Sequence, residues 1–252
     1  MNGKLLTVGI LLLQALCGQV FGQNNGFNRQ QIHQDLYWLR YHNRIFLSDK
    51  WEWQAHADDR RHFYPNVRHH FLFRAQPFFH ISENVSLSQG FVYAMQHPHE
   101  PMNLSELAVP ELRPFQEVVV KNDLGEWQIR HRYRLEERFF RRADDERLLA
   151  GYNFNWRVRY QLQLQRRLFK LNQSRGVHFR IAEEVMINMG RNVEYNVFDQ
   201  SRFSAAFFVN LSDHFDLELG YSHWYQQLRD GESFFNRNIY RMTLYHNIDL
   251  RP

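Results

Sequence analysis

Two alternating runs hold the densest set of side chains able to do chemistry. The first, residues 127–140, places Arg130, Arg132, Arg134, Glu136 and Arg138 on one parity. The second, residues 152–168, places Arg157, Arg159, Gln161 and Gln163 on one parity. Later runs add Arg180 and Glu184 (177–187) and Arg202 (200–211), with Glu183 on the opposite parity. Guanidinium rows have two uses. They clamp carboxylates in planar, bidentate pairs and so brace a structure, or they line a passage that selects anions. The residue types fit both.

Histidine and serine form a second set. The chain has 14 His. His69, His70, and His97, His99 and Glu100 of "HPHE" are of metal-ligand type. No HExxH motif and no Cys/His spacing accompanies them, so neither a metal nor another cofactor is expected. Ser222 beside His223, and His131 on an otherwise apolar parity, raise the nucleophile–base pair of a lipid-cleaving enzyme. Neighbours on a strand point to opposite faces, so Ser222 and His223 cannot be one dyad. No catalytic residue is assigned, and the chain is expected to be non-enzymatic.

The elements that carry these rows are strands. In 152–168, Tyr152, Phe154, Trp156, Val158, Tyr160, Leu162, Leu164 and Leu168 oppose Asn153, Asn155 and the Arg/Gln row. The same period of two recurs in 127–140, in 200–211 and in 215–226. Eleven alternating segments can be marked: 35–47, 51–62, 68–81, 84–96, 114–121, 127–140, 152–168, 177–187, 200–211, 215–226 and 238–249. Short connections such as "SDK", "SEN", "NDLGE" and "SDH" alternate with longer ones at 97–113, 141–151, 188–199 and 227–237; "FYPN" is the brief exception.

Many segments exceed the usual five or six residues of globular strands. Their polar parity mixes Arg with Glu and Gln and has little Lys, unlike a solvated face. Aromatic residues make up 16% of the chain, which suits strands and interfacial girdles. The net charge of +4 is interleaved with acids, so nucleic acid is not an expected partner.

Lys4 and the apolar run "LLTVGILLLQAL" form an export leader, too short to span a bilayer as a helix. Cleavage before Gln23 removes Cys17, the one cysteine, and excludes disulfide chemistry from the mature chain. The expected organisation is a signal peptide at 1–22, a polar lead at 23–33 and a barrel at 34–252. The fold class is all-β: a transmembrane antiparallel up-and-down β-barrel of about 10–12 strands. Single-chain bacterial barrels usually have an even number of strands. Ten or twelve therefore sits better than the eleven segments counted.

The stretches "LRPFQE" (112–117), "HRYRLEERF" (131–139), "WRVRYQLQL" (156–164), "IAEEVMIN" (181–188), "FDQSRF" (198–203) and "LELGY" (217–221), in that order, resemble domain-of-unknown-function family 2490. The resemblance covers nearly the whole mature chain, and "RxRLExRF" is its most specific piece. It implies an outer-membrane barrel of Gram-negative bacteria of the Bacteroidetes kind, and implies no activity. The expected location is the bacterial outer membrane, with lipid, lipopolysaccharide and the barrel-assembly machinery as partners. The specific role stays open; the expected form is a non-enzymatic, porin-like barrel with a narrow or plugged Arg/Glu/Gln-lined lumen. The alternatives are a small-anion-selective channel and a lipid-modifying enzyme.

Overall fold

The computed structural model describes residues 30–103, 105, 107–144, 146–172 and 175–252. The leader at 1–22 and its cleavage site lie outside the described residues, as does most of the lead. Eleven strands follow: β1 Gln31–Phe46, β2 Trp51–His62, β3 Arg68–His80, β4 Val85–Gln96, β5 Val109–Leu124, β6 Trp127–Ala143, β7 Leu148–Lys170, β8 Gly176–Met189, β9 Phe198–Asn210, β10 Phe215–Gln227 and β11 Phe234–Asp249. They form one closed barrel.

The strand number is eleven, not ten or twelve. An odd count makes the first and last strands run the same way, and β1 pairs with β11 in parallel from Gln31↔Phe234 to Phe46↔Asp249 without a register break. All other neighbours are antiparallel and consecutive in sequence. Closure leaves no free edge, so every strand finds ladder partners on both sides. β1 begins at Gln31, so the last three residues of the expected polar lead belong to the barrel.

Local chemistry sets the turns. "SDKW", "SENV" and "SDHF" share one device: the Ser Oγ accepts a hydrogen bond from the backbone N–H three residues on. The distances are 3.1 Å for Ser48 and Trp51, 3.1 Å for Ser82 and Val85, and 2.9 Å for Ser212 and Phe215. The β5–β6 turn is just Gly125–Glu126, with Gly125 at a φ of 62°, where a side chain would be strained. The opposite end carries the longer connections, and all four are shorter than the alternation suggests because β5, β7, β9 and β11 start early. In β5 the reason is visible. Pro110 and Pro114 sit inside the strand, and pairing with β6 is interrupted between Leu112↔Phe139 and Phe115↔Glu136. Proline removes a ladder donor, so the stretch reads as a loop until its neighbours are known.

The two faces differ in kind. Leu39, Tyr41, Phe73, Tyr133, Val158, Phe207 and Met242 are exposed on the outside. Inside, side chains that would be costly if unpaired are buried, including Asp58, Glu111, Glu136 and Arg237 at 0% exposure. The polar core lies within the barrel, and the apolar parity forms its outer surface.

Candidate functional site

The β5–β9 wall builds a continuous lattice of ion pairs. Register places Glu136 opposite Arg157, and Arg134 opposite both Arg159 and Glu117. Glu136 accepts from Arg157 Nε at 2.7 Å and from Arg159 Nη1 at 2.8 Å. Arg157 continues to Asp199 at 2.8 Å, and Arg159 to Glu184 at 2.7 Å. Arg132 links Glu184 to Glu117, which Arg134 Nε also reaches at 2.7 Å. Glu111 closes the upper edge, held by Arg113 Nη2 at 2.6 Å and by Arg138 Nε at 2.7 Å. The carboxylates are 5% exposed or less at their side chains. Charge-assisted, forked pairs of this type fix geometry as well as energy.

All eleven residues expected in the polar ladder point inward. Ten of them line the interior cavity, and Glu136 is buried behind its arginines. They do not all join the lattice. Arg130 and Gln161 have no side-chain hydrogen bond or ion pair among the described residues. Arg180 and Glu184 share a strand but not a pair: Arg180 goes to Glu218 at 2.7 Å and to Gln165 at 2.6 Å. Arg202 reaches the Gln200 amide oxygen at 2.8 Å and no carboxylate within ion-pair distance among the described residues. Glu183 faces outward, where it accepts from Ser201 Oγ.

Sequence reasoning missed three carboxylates that complete the lattice: Glu111, Glu117 and Asp199. Glu111 and Glu117 lie on β5, whose prolines hid its first half. Asp199 lies next to Gln200, and a register shift between Met186 and Ile187 disturbs the alternation there. The alternation of "LRPFQE" was the available signal for Arg113 and Glu117.

The enzyme and metal candidates part company. Ser222 is buried inside, while His223 is outside, 2.6 Å from Asn236 Oδ1. His131 is also outside, 2.9 Å from the Tyr160 hydroxyl. His69 and His70 are both buried, beside a register shift between Arg60 and Arg61 that breaks the alternation. His99, on the connection after β4, leans over them with Nδ1 3.4 Å from His69 Nε2. Burial pushes the His99 imidazole down to about 3, and the charges of Arg237 and Arg229 push the same way. Among the described residues no group of three His, Cys, Asp or Glu has an arrangement able to hold a metal.

A cavity of about 940 Å³ runs along the interior, from Phe46 and Lys121 near the short turns to Leu228 and Asp230 at the long-loop end. Sixteen Arg and Lys side chains line it, against six Asp and Glu. Asp58, Glu111, Glu136 and Asp216 sit buried behind those cations and leave them in excess. The interior therefore carries a net positive charge beside a wall of paired ions.

A family model described as a protein of unknown function, DUF2490, matches residues 36–235. Among solved structures, the β domain of the Bordetella autotransporter BrkA is similar at 12% identity and a TM-score of 0.45, covering 72% of this chain and 79% of that one. No curated protein matches this chain.

Proposed function

The chain belongs to the DUF2490 family of proteins of unknown function, and from that premise we propose a non-enzymatic outer-membrane barrel with a narrow, cation-lined lumen for small anions. The observation that carries the reading is the pairing of a continuous interior cavity with a lining of sixteen cations and six acids. A volume of 940 Å³ open to the centres of water-sized molecules gives room for waters and small ions along the interior. The lattice on β5–β9 keeps this bore from collapsing or widening.

The membrane part of the proposal rests on the two faces. Exposed Leu, Phe, Tyr and Met cover the outside of a closed barrel, which is the surface a bilayer solvates. An N-terminal leader fits export, with lipid and lipopolysaccharide around the barrel and the assembly machinery inserting it.

The test is single-channel recording of the refolded protein in a planar bilayer under a KCl gradient. The expected result is a small conductance whose reversal potential moves toward that of chloride. Cation preference, or silence with insertion verified, overturns the conducting role.

A further inference from the structure

A second constellation lies toward the parallel β1/β11 seam and adjoins the braced wall through Arg202, which stands on β9 opposite Glu184. Trp38 (β1) and Trp224 (β10) meet edge to face, with centroids 5.9 Å apart at 75°, and each is 3% exposed. Three guanidinium groups stack on them. Arg60 lies 4.1 Å from the Trp38 ring, Arg202 4.2 Å from the Trp224 ring and 5.5 Å from that of Trp38, and Arg237 4.6 Å from Trp224. Such contacts orient cations, but they do not cancel charge.

Arg60 has its counter-ion, with Nη2 2.8 Å from Asp58. Arg202 and Arg237 have none within ion-pair distance among the described residues. Arg237 is held by two amide oxygens, Gln34 and Gln226, both at 2.7 Å. Glu184 acts on Arg202 through space but is already taken by Arg132 and Arg159. Three buried nitrogens here meet no acceptor among the described residues: Trp38 Nε1, Trp224 Nε1 and Arg237 Nη2. Indole and guanidinium N–H groups donate and cannot accept. Buried donors and buried charge without partners are costly. One kind of ligand meets both needs, an acceptor-rich anion.

We propose that this pocket binds an oxyanion group, carboxylate or phosphate, with Arg202 and Arg237 supplying charge and the two indoles supplying N–H donors. Trp38, Trp224 and Arg202 line the interior cavity, so the group is reached from the lumen; Arg237, wholly buried against Trp224 and Phe235, lies behind this lining and acts through its charge. Water can satisfy an indole, but it cannot neutralise two guanidinium ions. Binding here deepens the anion-lumen reading and does not require conduction, so a barrel silent in the bilayer can still show it.

The test uses the refolded full chain in detergent, with folding verified by heat-modifiable electrophoretic mobility. Tryptophan fluorescence is titrated with sodium phosphate and, separately, with sodium acetate at constant ionic strength. A saturable change with at least one anion is expected; saturation with phosphate alone assigns the pocket to phosphate groups. Arg202→Gln should weaken it at least about tenfold, as loss of a charged hydrogen bond does. Trp224→Phe keeps an aromatic face, loses the N–H and should weaken it several-fold, read through Trp38, which packs against the same site. Arg130→Gln removes a lumen cation outside the pocket and should leave it unchanged. Arg237→Gln replaces Arg202→Gln if the latter fails to fold. No saturation with either anion overturns the proposal, as does an equal loss in Arg130→Gln, which would mean diffuse lumen charge.

Discussion

The two sides of the lumen use the same residue, arginine, in opposite ways. On β5–β9, Arg132, Arg134, Arg138, Arg157 and Arg159 each meet a buried carboxylate, and Glu117, Glu136 and Glu184 each hold at least two of them. Next to this wall, toward the β1/β11 seam, Arg202 of β9 and Arg237 of β11 stack on Trp224 and meet amide oxygens. The difference comes from what the facing parity offers. Carboxylates of β5, β6, β8 and β9 close on the first set; the second stacks on Trp224 of β10, and Glu184, opposite Arg202, is already taken by Arg132 and Arg159. Paired cations contribute rigidity and little net field. Unpaired cations contribute field and little rigidity. One barrel thus has a structural wall and a receptive one.

The sharpest way to break this contrast is to remove a carboxylate from the structural wall. Glu136→Gln takes from the buried Arg157 and Arg159 one of the two carboxylates each of them holds and should cost about 3 kcal/mol of stability, measured by urea unfolding in micelles. A loss below about 1 kcal/mol, the scale of an exposed ion pair, would mean that water, not Glu136, satisfies those arginines. A second comparison lies within β7, between its faces. Leu162→Arg places a charge on the outer face, which the proposed function sets against lipid, and should cost about 2–4 kcal/mol near mid-bilayer, whereas Gln161→Arg adds to the interior and should fold and insert normally. Equal assembly of both would show the parity to be wrong.

The smallest effect concerns the lid-like connection after β4. His99 packs among His69, His70 and Phe235, with Arg237 and Arg229 acting on it. Its folded value of about 3 lies below the ordinary 6.5. The undocked segment therefore takes up the proton first as pH falls. Docking should be at full strength above about pH 6.5 and weaken progressively toward pH 3. Hydrogen exchange of residues 97–103 at pH 7 and pH 4 reads this directly. Equal protection at both, or the same acid loosening in His99→Gln, would remove His99 from the explanation.

Much of this was legible from the sequence. Alternation in β6 and β7 placed Arg130 to Arg138 and Arg157 to Gln161 inside, because side-chain direction on a strand has a period of two. Partners were less legible. Arg180 turned to Glu218 and not to Glu184, since pairing depends on shear and register, which no single strand encodes. Glu111 was hidden by Pro110 and Pro114, whose missing donors mimic a loop. The aromatic–cation pocket was hidden for a different reason. Trp38 and Trp224 are far apart in sequence and meet across the closing seam, and an odd strand count was needed to bring β1 beside β11 in parallel.

The most direct measurement compares two neutralised arginines in unfolding free energy: Arg157→Gln from the structural wall and Arg202→Gln from the receptive one. Arg157→Gln should lose about 3 kcal/mol or more, because Glu136 and Asp199 are left buried and short of a partner. Arg202→Gln should stay within about 1 kcal/mol of the parent, because a charge without a counter-ion has been removed. Equal losses in the two variants would contradict the division of the lumen into a braced side and an anion-receiving side.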